Sequence, residues 1–216
     1  MQTSEAVKAQ PFVDGKLAKW IAIVACLVPG ALLAYDAYQG TLGVNQVNFA
    51  IRTTGMVGLV FMTLALVITP IRRLTGWNPI IKLRRMLGLF AFFYATLHML
   101  TWVVFVHFFE WPFMVEDVVK RPFITIGMAT FLILLVLALT SNRLSKRKLG
   151  RRWQRLHRLV YVAAVGAVIH FWWLVKADTT EPVRWAAAVG LLLGFRAWWA
   201  WRPKLNTTSP RLGRSA

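Results

Sequence analysis

Long apolar runs separated by short polar stretches dominate the chain. They fall at about residues 20–38, 50–71, 86–109, 122–140, 157–175 and 183–201. Each approaches the ~20 residues a helix needs to cross a bilayer core. Backbone polar groups must be satisfied internally in lipid, so the runs read as helices rather than open strands. The pattern therefore predicts an all-α membrane protein, a six-transmembrane helical bundle spanning residues 20–201. Residues 1–19 and 202–216 form short cytoplasmic segments, which places both termini in the cytoplasm. The first run has a Lys-flanked start and a short apolar core, as a signal peptide does. Its apolar character continues past Pro29-Gly30 with no convincing cleavage site, so it is read as a helix.

Charge supports this topology. The chain is 57% hydrophobic, yet 26 Lys and Arg face 8 acids for a formal net charge of +18. Such a balance by itself points to nucleic acid, but the distribution excludes it. The connection RRLTGWNPIIKLRR at 72–85 carries five basic residues and SNRLSKRKLGRRWQRL at 141–156 carries seven. The alternate connections GTLGVNQVN, EWPFMVEDVVKR and KADTTEP are poor in them or balanced by acids. Basic and non-basic loops thus alternate, which is the positive-inside pattern, with the basic loops cytoplasmic. Contact with anionic membrane lipids follows.

The single cysteine, Cys26, lies inside the first run, and no CxxC occurs, so disulfides, c-type haem and cysteine-held clusters are not expected. Tryptophans near the ends of the runs suit aromatic belts. No internal repeat is evident. The candidate chemistry rests on four histidines, His98, His107, His157 and His170, all on the third or fifth run or at its edge. Ionisable rings inside a membrane helix are functional candidates, because burying one without a partner is costly.

His98 lies ~18 Å along the third helix from its cytoplasmic start at Met86, and His170 lies ~20 Å beyond His157 on the fifth, at 1.5 Å per residue. The two rings are therefore expected at matched heights, past the midplane toward the outer face. Two such imidazoles can clamp one haem iron from both sides, and helix-bundle cores are recurrent places for cofactors. Ala91 and Ala95, and Ala163 and Gly166, lie on the histidines' own faces. They leave room for a porphyrin, although small faces also serve plain helix packing. His157 sits about 220° away from His170's face in a straight helix. A second haem on His157 would need a non-histidine ligand, an open position or a partner protein. His107, about half a turn out of phase with His98, reads as interfacial, with docking or proton transfer as its other use. Arg151, Arg152, Arg155 and Arg158 cluster about His157, and Arg84 and Arg85 open the third helix. Topology accounts for them, and haem propionates or a flavin phosphate would also suit them.

The stretches RRMLGLFAFFYATLH (84–98), RPFITIGMATFLILLVLALTS (121–141) and KLGRRWQRLHRLVYVAAVGAVIHFWWLVK (148–176) resemble the MsrQ (YedZ) family. These are haem-binding membrane subunits of a bacterial protein-methionine-sulfoxide reductase system, within the ferric-reductase-like transmembrane group. The resemblance covers nearly all of the membrane region. It implies b-type haem, with His98, His157 and His170 as ligand candidates, and nothing for His107. It implies one haem, or two, in the bacterial inner membrane, and associates FMN with the family. Electrons would come from quinol or from a cytosolic flavin reductase and pass to a periplasmic molybdenum methionine-sulfoxide reductase. Related ferric reductases use four histidines, two on each of two helices, whereas three fall in the motif here.

The residues after the sixth run leave no room for a flavin or nicotinamide domain, and no GxGxxG or P-loop occurs. An electron carrier that receives and delivers electrons through separate partners is therefore expected. The other readings are a stand-alone ferric, metal or quinone reductase of the same group, and a proton-coupled transporter whose histidines relay protons.

Overall fold

The computed structural model describes residues 15–175 and 177–201. It is helical, with no strand among the described residues. In chain order the α-helices are α1 (Lys16–Tyr38), α2 (Gln46–Thr75), α3 (Ile81–Thr101), α4 (Trp111–Lys120), α5 (Pro122–Leu139), α6 (Arg143–Leu149), α7 (Arg151–Leu156), α8 (Leu159–Leu174) and α9 (Thr180–Trp201). A 3-10 turn over Asn78–Ile80 precedes α3, and a π-helical turn over Trp102–Val106 continues it. Five helical stretches are long and apolar enough to cross a membrane: Leu17–Tyr38, Gln46–Thr75, Asn78–Val106, Pro122–Leu139 and Arg151–Leu174. With the family evidence given below, this is a multi-pass membrane protein. The sixth expected run is also a helix, α9, of 22 residues. Arg184 and Arg196 lower its apolar character, and it is not among those five.

The core is two antiparallel helix pairs, α2 with α3 and α5 with α8, joined through α3–α5 contacts and covered on one side by α9. Leu66 and Tyr94 from the first pair, and Ala163 and Ala164 from the second, are buried there. α2 ends on Gly76, whose φ of 70° supplies the left-handed cap and whose N–H closes on the Arg72 carbonyl.

The two pairs are copies of one another, which corrects the reading that the chain lacks a repeat. Ile51 and Phe123, Gly55 and Gly127, Ala91 and Ala163, Ala95 and Ala167, and His98 and His170 are each 72 positions apart. The run Thr53-Thr54-Gly55-Met56 recurs as Thr125-Ile126-Gly127-Met128. Most other positions have exchanged one apolar residue for another, so self-similarity survives only where sterics or chemistry demand one residue type. The copies differ at Tyr94, whose counterpart is Gly166.

Two prolines inside helices explain two polar contacts. Pro70 has no N–H for the Leu66 carbonyl, and the Arg196 guanidinium of α9 donates to that oxygen at 2.6 Å instead. Pro29 interrupts α1, and the Tyr94 hydroxyl enters the gap, accepting from the Gly30 N–H at 2.9 Å and donating to the Cys26 carbonyl at 2.8 Å. α1 is otherwise largely exposed. Tyr94→Phe therefore removes two hydrogen bonds that tie α3 to α1 and is expected to cost about 1–3 kcal/mol. A lowered midpoint of thermal unfolding in detergent, with α1 the first segment to gain amide exchange, checks this.

Candidate functional site

His98 lies in the last turn of α3, and its Nδ1 is 2.8 Å from the Ile51 carbonyl oxygen of α2. His170 lies in α8, and its Nδ1 is 2.6 Å from the Phe123 carbonyl oxygen of α5. A carbonyl oxygen only accepts, so each Nδ1 donates, and a neutral ring in that tautomer keeps its Nε2 lone pair free. One turn beyond each carbonyl stands a glycine. A Cβ on Gly55 would lie 3.0 Å from His98 Nδ1, and one on Gly127 would lie 2.7 Å from His170 Nδ1. The glycines thus clear the space that lets each ring reach its carbonyl.

The pairs bring the two rings together, with centroids 6.0 Å apart and planes at 83°. Metal–imidazole nitrogen bonds run about 2.0–2.1 Å, which places two rings on opposite sides of one metal with centroids ~6 Å apart. Among the described residues no group of three or more His, Cys, Asp or Glu could hold a metal ion. Two imidazoles alone are too few for a free ion's tetrahedral or octahedral shell. They suit an iron that brings its own four equatorial nitrogens, and hydrogen-bonded Nδ1 atoms are what orients such ligands. The residues present therefore fit a haem.

The small residues beside the histidines serve helix packing. Ala163 is fully buried, Ala91 is 2% exposed, and a Cβ on Gly166 would run into the Thr130 hydroxyl of α5.

His157 is not brought to this pair. It caps α7, and a turn at His157–Arg158 separates it from α8, so the straight-helix phase computed for it does not apply. Its ring stacks on Trp153 at 4.0 Å, and its Nε2 lies 3.2 Å from the Thr140 hydroxyl. It lines a cavity of about 530 Å³ at the end of the bundle that carries the basic connections. Arg84, Arg85, Lys146, Arg158 and Tyr161 share that wall. Arg151 and Arg152 are exposed on α7 and do not line the cavity, nor does Arg155. Lys146 and Trp153 were not singled out in the sequence. The turn that folds α6 beside α7 at Gly150, φ 49°, brings Lys146 to within 5.6 Å of the Trp153 ring.

His107 follows the π-helical turn at the opposite end of the bundle. Its Nε2 lies 3.1 Å from Asp117 Oδ2, and Arg121 Nε lies 3.1 Å from the other oxygen of the same carboxylate.

Comparison with known proteins matches these features. The family described as ferric reductase like transmembrane component matches residues 54–168. The chain is 48% identical over 191 residues to a Herminiimonas arsenicoxydans protein, covering 87% of this chain and 88% of that one. Identity is 46% over 191 residues to a Ralstonia nicotianae protein, covering 87% and 86%. It is 41% over 206 residues to a Xanthomonas oryzae protein, covering 93% of each. All three are named protein-methionine-sulfoxide reductase heme-binding subunit MsrQ. No solved structure matches. With its helix pairs, its paired histidines and these relatives, the chain belongs to the MsrQ proteins of the ferric-reductase-like transmembrane family.

Proposed function

We propose that this protein is a six-span carrier in the bacterial inner membrane that moves electrons through a b-type haem held by His98 and His170. The observation that carries the reading is the pair of facing imidazoles, each fixed by its Nδ1 to a backbone carbonyl and left with a free Nε2. The names of the relatives, which are heme-binding subunits, support it. The haem supplies one-electron chemistry when bound. The chain's His98 and His170 would hold it, their rings oriented by the Ile51 and Phe123 carbonyls, and the apolar helices around them would tune its potential and exclude water.

The basic end faces the cytoplasm in this reading, with residues 1–19 and 202–216 on that side and α9 as the sixth span. The cavity there holds a second, planar anionic group. Among the described residues, Arg84, Arg85, Lys146 and Arg158 line it together with a single imidazole, and no acid does. That donor set fits the phosphate of FMN better than a second haem with two histidine ligands. Arg151 and Arg152 then serve as surface cations for anionic lipid headgroups. Electrons enter from quinol or from a cytosolic flavin reductase acting on the flavin. They leave to a periplasmic molybdenum methionine-sulfoxide reductase, which reduces oxidised methionine in proteins.

Cofactor analysis of purified protein tests this. One b-type haem and one FMN per chain are expected. His157→Ala and Arg84→Ala are expected to release flavin, read by fluorescence after extraction, while the haem spectrum stays. Haem loss with flavin retention in those variants would reverse the assignment of the two sites.

A further inference from the structure

The end of α3 beyond His98 carries features that the haem does not explain. The helix passes into a π-helical turn over Trp102–Val106, and two consecutive phenylalanines then take positive φ, 48° at Phe108 and 62° at Phe109. π-turns and strained backbone concentrate at functional sites. The distortion delivers His107 into the chain, where its side chain is only 9% exposed. Its ring packs on Trp102 at 4.5 Å, and its Nε2 meets Asp117, itself held by Arg121. A pocket of about 470 Å³ opens beside it, lined by Val106, Phe108 and Phe113 on the apolar side. Glu110, Glu116, Asp117 and Arg121 form its polar side. Glu116 pairs with Lys120, and Asp117 with His107 and Arg121, so Glu110 is the acid of this wall that makes no ion pair among the described residues. Phe105 and Val106 are exposed next to the pocket and give it an apolar approach from the bilayer. That volume is within the usual range for a small-molecule site.

We propose that this pocket is where a lipid-soluble quinol binds and is oxidised, with His107 as the proton acceptor. The proposal rests on a haem at His98 and His170, which lie on the same side of the membrane as the pocket, since the π-helical turn that continues α3 past His98 leads directly to His107. Asp117, which also pairs with Arg121, accepts from Nε2–H and leaves His107 Nδ1 as the basic atom. The quinol O–H proton passes to Nδ1, and one electron would go to the one-electron acceptor held by His98 and His170. The quinol is left as its neutral one-electron-oxidised radical. Once that acceptor has passed its electron on to the partner, the second proton would leave through Glu110 to water and the second electron would follow the first, giving quinone. Phe108 and Phe113 pack the ring, and protons are released on the outer face.

The test uses the full chain in lipid discs with a short-chain quinol and with a photoreactive quinone analogue. His107→Ala and Asp117→Asn are expected to slow haem reduction by quinol at least ~10²-fold, the lower range for loss of a general base. Reduction by dithionite and haem content stay as in wild type. The photoreactive analogue labels residues 106–121, a readout that needs no haem. Val106→Trp fills the pocket without touching the His107–Asp117 pair, and decides the matter if His107→Ala fails to fold. Unchanged quinol rates in these variants, or labelling of the cavity around Arg84 and His157 instead, overturn the proposal. Slowed delivery to the partner enzyme with unchanged quinol oxidation overturns it as well, because the pocket is then a docking surface. Absence of haem from wild type refutes the haem reading, and labelling still reports on the pocket.

Discussion

His98→Ala and His170→Ala each abolish the low-spin haem spectrum of the purified protein, whereas His157→Ala keeps it. The expectation follows from the pairing of the rings. Each ring provides one free Nε2 and sits 6.0 Å from the other by centroid. No third histidine is near enough to substitute, since His157 stacks on Trp153 and His107 is held by Asp117. Losing either ring leaves at most one axial nitrogen. The two losses are also equivalent, because the rings are counterparts in the repeat and are held in the same way, Nδ1 to a carbonyl 47 residues earlier. Reduced-minus-oxidised difference spectra with a haem-to-protein ratio check this. A variant at one histidine that keeps full low-spin haem contradicts it.

Gly127→Ala is expected to be nearly as damaging, although it adds a single methyl. The added Cβ would lie 2.7 Å from His170 Nδ1 and 2.8 Å from its Cε1. Neither contact can be relieved by a flexible chain end, since both atoms belong to a ring tied to the Phe123 carbonyl. The ring must leave that carbonyl, and its Nε2 turns with it. Loss of a partner that orients a ligand typically weakens metal retention 10–100-fold. Gly55→Ala acts in the same direction with less force, its Cβ meeting His98 Nδ1 at 3.0 Å. Gly190→Ala and Gly194→Ala meet nothing within 4 Å and are the controls, expected to be neutral or stabilising. Haem content of the four variants, measured side by side, reads the difference.

These two expectations draw on different amounts of sequence information. The histidines announce themselves, being ionisable rings within apolar runs. The helices do so too, because a lipid-facing segment leaves only one way to satisfy its backbone. The carbonyls of Ile51 and Phe123 have no side-chain signature, so the partners of the rings were invisible. Gly55 and Gly127 were the signal that could have exposed them, because the shared Thr-x-Gly-Met context is the trace of the repeat. The break at His157–Arg158 lies in a stretch whose basic and apolar residues are all compatible with a continuous helix, and only tertiary packing shows it. The same holds for the π-turn, which inserts no glycine or proline into WVVFV. Arg196 lies within the sixth apolar run, and its use becomes clear only with the Pro70-orphaned carbonyl of Leu66 beside it.

The central claim is that one iron sits between His98 and His170. Low-temperature electron paramagnetic resonance of the oxidised protein tests it most directly, because the signal reports both axial ligands and their mutual orientation. Ring planes at 83° predict a highly anisotropic low-spin signal from a bis-imidazole haem, lost in either histidine variant. A high-spin haem signal, or one that survives His98→Ala unchanged, would contradict the account.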